Sequence, residues 1–185
     1  MPINPFWGNI FKRSASPQEE TISILKGVPL FQELSYRELL KIERIVHKRI
    51  FVPGEEIFRE KEPGMGMYII KSGVVDIHQT SKNGMSQNLA TLGEGDFFGE
   101  MALLDEAPRA ASAVAQDDCE VVGFLKPDLF DLIERDPRLG LKIVIGVAKM
   151  LSARLRRTNQ QLREMEDEVY QLRQKLWEEE AKEGE

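Results

Sequence analysis

The chain has 185 residues, of which 42% are hydrophobic and 30% charged, and its net charge at pH 7 is −6. This length suits one compact core with one appendage. The net negative charge disfavours non-specific binding to nucleic-acid phosphates. Cys119 is the single cysteine, which excludes an internal disulfide, and the sequence shows neither a signal peptide nor an apolar run of membrane-spanning length. We therefore expect a soluble, cytoplasmic protein without membrane association.

The N-terminal part is predicted to be a tail followed by a helix. Residues 1–20 mix Pro, Gly, Ser and Asn with a few aromatic residues and show no sustained period, so they are interpreted as a tail. Its aromatic residues either fold back onto the core or dock on a membrane or a partner, and the first is the commoner fate. A capping box that begins at Ser35 then precedes Leu39, Ile42 and Val46, which share one helical face.

The middle of the chain is predicted to form antiparallel strands. From residue 50 to residue 92, short apolar or alternating runs are separated by glycines at intervals of about ten residues, which is typical of strands joined by tight turns. Asn83-Gly84 indicates a two-residue hairpin turn. The predicted fold class is α+β, an antiparallel β jelly-roll barrel flanked by helices and followed by a long C-terminal coiled-coil helix.

The C-terminal part is predicted to be helical. Pro127 and Pro137 suit first-turn positions, and Asp136 suits an N-cap. Apolar residues then recur at alternating gaps of three and four, an a/d seam that predicts a parallel homodimer, with Glu168 facing the partner's Arg173 and Lys175 facing the partner's Glu180. The alternative is a long helix that lies on its own domain. The seam comprises Leu155, Thr158, Leu162, Met165, Val169, Leu172 and Leu176.

These patterns divide the chain into three predicted segments. Residues 1–20 are the tail, residues 21–153 the strand-rich domain with its flanking helices, and residues 154–185 the dimerisation helix.

The stretch GDFFGEMALLDEAPRAASA, residues 95–113, places Arg109 nine positions after Glu100. Arg109 offers a charged, planar fork of donors to phosphate oxygens. Glu100 would repel a phosphate, so its expected partner is a hydroxyl donor such as that of a sugar. The pattern therefore indicates a nucleotide with an anionic phosphate and a free ribose hydroxyl. The small residues that would let an anion approach backbone N–H groups are Gly99, Ala102, Ala110 and Ala111.

Two other interpretations of this stretch stay open. In the first, Glu100 and Arg109 form an ion pair with each other that stabilises a surface loop. The glycine spacing GEGDFFG imitates a dinucleotide-binding fingerprint, although it has an extra residue before the third glycine and lies in an antiparallel pattern.

The run FGEMALL from Phe98, followed by PRAAS from Pro108, closely resembles the phosphate-binding cassette of cyclic nucleotide-binding domains. The resemblance extends over residues 24–157. It implies that Glu100 accepts a hydrogen bond from the ribose 2'-hydroxyl, that Arg109 pairs with the cyclic phosphate, and that nearby backbone completes the cradle. The ligand-binding residues implied in this cassette are Phe98, Gly99, Glu100, Met101, Ala102, Arg109, Ala110 and Ala111.

The resemblance also bears on ligand identity. Relatives that prefer cyclic GMP often have a threonine directly after the arginine, where this chain has Ala110, so cyclic AMP is favoured over cyclic GMP. In the related bacterial catabolite activator, a hydroxyl-bearing pair on the equivalent helix reaches the adenine base, which implies that role for Thr158 and Asn159. A polar residue that fixes coiled-coil register is the alternative. Lys61 stands where many relatives have glycine, which puts the shape of that turn in question.

The function implied is a cyclic nucleotide sensor that transmits ligand binding through the dimer helix to an unidentified protein partner. The alternative is a coiled-coil adaptor whose barrel binds no ligand. We expect neither an enzyme nor a cofactor or metal, since His47, placed on the first helix, His78, placed on a strand, and Cys119 fit no catalytic or metal-ligand spacing. Related transcription regulators add a helix-turn-helix after the dimer helix, where this sequence continues as an acidic coil, so direct DNA recognition is not expected.

Overall fold

The computed structural model describes residues 16–81 and 83–183, with side chains described as far as Lys175. Eight strands and four α-helices occupy this part of the chain, together with short 3₁₀ helices at Pro29–Phe31 and Glu100–Leu103. The strands are β1 (His47–Phe51), β2 (Glu56–Phe58), β3 (Gly66–Ser72), β4 (Val75–Thr80), β5 (Ser86–Leu92), β6 (Phe97–Phe98), β7 (Ser112–Ala115) and β8 (Cys119–Leu125). The helices are α1 (Pro17–Gly27), α2 (Tyr36–Glu43), α3 (Lys126–Arg135) and α4 (Pro137–Glu183).

The strands form two four-stranded antiparallel sheets, ordered β1-β8-β3-β6 and β2-β7-β4-β5. This arrangement, a β-roll, confirms the predicted antiparallel strands and flanking helices. It also corrects the expectation of a barrel, because no ladder among the described strands joins the two sheets into a closed cylinder. One apolar cluster packs between the first sheet and the helices, and a second packs between the sheets.

The predicted hairpin at Asn83-Gly84 exists as the β4–β5 connection, but its turn is longer than two residues. Residues 81–85 connect the strands, and the Ser81 N–H donates to the Met85 carbonyl over 2.8 Å. Gly84 has a φ of 79°, a left-handed conformation that glycine adopts readily. Gly84 therefore supplies the predicted turn chemistry, within a connection longer than the predicted two residues.

Helix α1 corrects the interpretation of residues 1–20 as tail. Ser16 and Glu19 form a capping box, so the helix already begins at Pro17. Its buried residues Ile22 and Leu25 pack in the core beneath the first sheet. The expectation for the aromatic residues of the tail concerns residues 1–15, which lie outside the described part of the chain.

Helix α2 begins as predicted but ends early. The Ser35 hydroxyl accepts from the Glu38 N–H, and the Glu38 carboxylate accepts from the Ser35 N–H over 2.8 Å. The helix ends at Glu43, so Val46 lies beyond it and His47 opens strand β1, contrary to its predicted place on the helix. The β-branched pair Ile45 and Val46 before His47 favours extended backbone over a continued helix.

Helix α4 follows α3 as predicted. Pro127 and Pro137 lie in the first turns of the two helices, and the Asp136 carboxylate accepts from the Leu139 N–H over 3.2 Å. The first turns of α4 bury Leu139, Ile143, Val147 and Met150, whereas every described residue from Ser152 to Lys175 is exposed. The long helix is thus confirmed, and its coiled-coil pairing stays a prediction.

The turn that contains Lys61 keeps a glycine-like backbone without glycine. Lys61 has a φ of 69° and is, among the described residues, the one non-glycine with positive φ. Its N–H donates to the Arg109 carbonyl, and the Arg109 N–H donates to the Glu62 carbonyl, both over 2.8 Å. These bonds hold a conformation that costs a non-glycine residue about 1 kcal/mol. The turn therefore anchors the segment that carries Arg109.

Candidate functional site

A cavity of about 300 Å³ opens beside the Glu100–Leu103 3₁₀ helix. Ile77, Leu89 and Leu92 of the β4–β5 hairpin form an apolar wall on its lining. A site of this size is typical of small-molecule binding. The cassette residues predicted from the sequence all line this cavity, and they are Phe98, Gly99, Glu100, Met101, Ala102, Arg109, Ala110 and Ala111.

Arg109 is buried in the wall of the cavity, with 7% of its surface exposed. Its Nη1 donates to the Gly99 carbonyl over 3.0 Å, and its Nη2 donates to the Gly66 carbonyl over 2.8 Å. Burial lowers the pKa of the guanidinium, although an arginine stays charged at neutral pH. Its Nε is the one buried side-chain nitrogen or oxygen within the described part of the chain that has no hydrogen-bond partner. A buried cation with an unused donor suits an incoming anion.

The guanidinium of Arg109 lies on a cluster of three aromatic rings, Phe58, Tyr68 and Phe98, which we call the aromatic cluster. The Arg109 Cζ lies 4.0 Å from the ring centroid of Phe58 and 6.0 Å from that of Tyr68. Tyr68 and Phe98 stack with centroids 5.6 Å apart. Phe58 comes from one sheet and the other two rings from the second sheet, so Arg109 lies where the sheets meet.

Glu100 is almost fully buried and contacts Arg154 of α4, not Arg109. The interpretation of Glu100 and Arg109 as an ion pair with each other is therefore wrong. Arg154 also lines the cavity, and sequence reasoning missed it. The two residues are 54 positions apart, so no local pattern connects them. The one indication in the sequence is that Arg154 lies one helical turn before Thr158, the polar residue that interrupts the apolar seam.

Residues 48–136 match the family model described as the cyclic nucleotide-binding domain. The chain carries a domain of this family. The match contains every cassette residue that lines the cavity, and the resemblance found in the sequence is thereby confirmed.

Relatives of this cyclic nucleotide-binding domain occur in two kinds of regulatory protein. The cyclic AMP receptor protein of Thermus thermophilus is 36% identical over 138 residues, which are 75% of this chain and 62% of that protein. A cAMP-dependent protein kinase regulatory subunit of Colletotrichum orbiculare is 38% identical over 55% of this chain and 25% of its own length. The chain thus spans less than two thirds of these relatives.

A solved structure of a cyclic nucleotide-binding domain from Methylobacillus flagellatus has a similar fold. It superimposes with a TM-score of 0.67 and 28% identity, over 76% of this chain and 79% of that one. The named relatives are regulatory or binding proteins.

Thr158 and Asn159, the predicted base contacts, are exposed on α4 and do not line the cavity of the single chain. Arg154, one turn earlier on the same helix, does. Their role at the base stays a prediction.

Two further properties concern the described residues alone. None of their helices is long and apolar enough to cross a membrane. Among them, no group of three or more His, Cys, Asp and Glu side chains is arranged to hold a metal ion.

Gly99→Ala should disturb the site directly. Gly99 has a φ of 76°, and a Cβ there would lie 2.6 Å from the Arg109 Nη1. We expect the free energy of unfolding to fall by about 2 kcal/mol, from the left-handed backbone and the displaced guanidinium together, as measured by urea denaturation. Gly93→Ala is the matched control, because a Cβ at Gly93 meets nothing within 4 Å. Equal stabilities of the two variants would contradict the close approach at Gly99.

Proposed function

We propose that this protein is a cytoplasmic sensor that binds cyclic AMP in the cavity and passes the signal through α4. The observation that carries the proposal is the buried Arg109, whose side chain lines the cavity. Its Nε has no hydrogen-bond partner among the described atoms. Burying an unsatisfied donor on a cation is unfavourable. A cyclic phosphate supplies the negative charge and the acceptor oxygens that relieve this cost.

The other lining residues suit the rest of a cyclic nucleotide. The Glu100 carboxylate has acceptor sites for both Arg154 and a ribose hydroxyl. The apolar wall of Ile77, Leu89 and Leu92 suits a purine face. Ala110, where a threonine would favour cyclic GMP, supports cyclic AMP. The names of the Thermus and Colletotrichum relatives point to the same nucleotide.

The contact between Glu100 and Arg154 supports a route from the ligand to α4. Glu100 belongs to the cassette, whereas Arg154 lies where α4 leaves the domain, just beyond its last buried residue, Met150. A ligand that hydrogen-bonds Glu100 therefore changes the surroundings of Arg154. It shifts the orientation of α4 if it binds one orientation more tightly than the other.

The exposed seam supports a parallel dimer through α4. Leu155, Leu162, Met165, Val169 and Leu172 are each 48–63% exposed in the single chain. The seam also extends towards the N-terminus of α4, because Leu141 and Ile145 are exposed on the side opposite the buried residues of that helix. A second copy of the chain covers a seam of this period, with Glu168 and Lys175 facing basic and acidic residues of the other helix. An unidentified protein partner then receives the signal.

The alternative, an adaptor with a ligand-free β-roll, is disfavoured by the same cavity. Structure alone gives no reason to bury both Glu100 and Arg109 beside an open cavity, because a pair of apolar side chains would pack there without desolvating charge.

Titration calorimetry with cyclic AMP tests the proposed ligand. Arg109→Ala should weaken binding by about 2 to 5 kcal/mol, since it removes the buried cation that meets the phosphate. Arg109→Lys keeps a charge without the planar fork and should fall between wild type and alanine. Arg156→Ala is the control, an exposed arginine of α4 that does not line the cavity.

Cyclic GMP and cyclic di-GMP serve as competing ligands in the same titrations. Tighter binding of either would correct the ligand. Wild-type protein that binds none of the three nucleotides would contradict the sensor and favour the adaptor.

The dimer is tested by replacing both Leu162 and Val169 with Asp. Buried like charges in the seam should convert the dimer to a monomer with an intact β-roll, as measured by light scattering against the chain mass of 21.1 kDa. If Thr158 and Asn159 contact the base, the monomer should also discriminate less between cyclic AMP and cyclic GMP. Gln160→Asp with Gln174→Asp adds the same charges away from the seam and should leave the dimer intact. A seam variant that stays dimeric would contradict the predicted interface.

A further inference from the structure

We propose that Phe58 is a positioning residue for Arg109, and that the electron-rich face of its ring keeps the guanidinium in the phosphate-binding position. The inference rests on the proposed role of Arg109 as the phosphate ligand, and it assigns to Phe58 an electrostatic task besides packing.

The geometry holds the guanidinium from two directions. The two Nη atoms donate to the carbonyls of Gly99 and Gly66, and the N–H groups of a guanidinium lie in its plane. From another side, the Arg109 Cζ lies over the face of the Phe58 ring, 4.0 Å from its centroid. This distance is well inside the limit of about 6 Å for a cation–π contact. Tyr68, at 6.0 Å, lies at that limit.

The strand that carries Phe58 is shaped for this contact. The register between β2 and β7 shifts between Glu56 and Phe58, as at a β-bulge. Bulges redirect a side chain, and they are common beside functional sites. Here Ile57 enters the core between the sheets, while Phe58 lines the cavity beside Arg109.

The low exposure of Arg109 makes the ring contact effective. Cation–π attraction is small in water and larger where the cation is desolvated. Arg109 is 7% exposed, so its charge is screened little by solvent. Without the ring, the inward position of the side chain would be less populated. The apparent affinity for an anion falls in proportion to that population.

Fluorination of Phe58 separates electrostatics from packing. Fluorine withdraws electron density from the ring face while it keeps the ring shape and raises its hydrophobicity. Full-length protein is prepared with mono-, di- and trifluorinated phenylalanine at this position. Urea unfolding is measured without nucleotide, and the dissociation constant for cyclic AMP is measured by calorimetry. We expect the unfolding midpoint to fall with each added fluorine, and the dissociation constant to rise by about tenfold across the series.

Two matched series identify the cause. In an Arg109→Met background the stepwise fall of the midpoint should disappear, because no cation faces the ring. Fluorination of Phe124, a fully buried core residue that packs on Phe31 at 5.7 Å, should not lower the midpoint stepwise.

The outcomes distinguish this inference from the proposed function. A midpoint that stays level or rises with fluorination of Phe58 would overturn the positioning role, since packing alone explains it. A dissociation constant that changes while the ligand-free midpoint does not would also overturn it, because the ring would then act on the nucleotide itself. A stepwise fall in a protein that binds no cyclic nucleotide would support the Phe58 contact and refute the proposed ligand.

Discussion

The site depends on keeping a charged guanidinium out of water in the absence of its anion. The two Nη atoms of Arg109 donate to backbone carbonyls and its Cζ lies over an aromatic ring, while its Nε has no partner in the described structure. Such a group is costly to bury. The surrounding sequence therefore supplies close backbone approach, aromatic surface and rigid turns around this one residue.

Several local features of the fold follow from this constraint. The backbone at Gly64 and Gly99 approaches neighbouring side chains closely. A Cβ would lie 2.4 Å from the Ala102 Cβ at Gly64 and 2.6 Å from the Arg109 Nη1 at Gly99. Lys61 accepts a left-handed backbone in the turn that pairs with the Arg109 segment. The one described non-glycine residue with positive φ thus lies beside the functional site, as expected where function competes with local stability.

The sequence was informative where short-range patterns determine structure. The capping box at Ser35, the N-cap at Asp136 and the ordered cassette from Phe98 each depend on neighbours within a few residues, and each has the predicted local structure. The contact between Glu100 and Arg154 depends on how α4 packs on the domain, which no local pattern encodes. The cation–π contact between Arg109 and Phe58 likewise depends on how the two sheets pack against each other. The capping box at Ser16 is an equally local pattern, whereas the tail prediction for residues 1–20 rested on their composition and lack of period.

The most direct test of this account is the side-chain nitrogen–proton NMR signal of Arg109, assigned by its loss in Arg109→Lys. Among the described residues the Nε–H has no acceptor, and in the complex the phosphate becomes one. Addition of cyclic AMP should therefore move the Nε–H proton signal downfield and slow its exchange with water. An unchanged Arg109 signal at saturating, calorimetrically confirmed cyclic AMP would show that the buried arginine does not receive the phosphate.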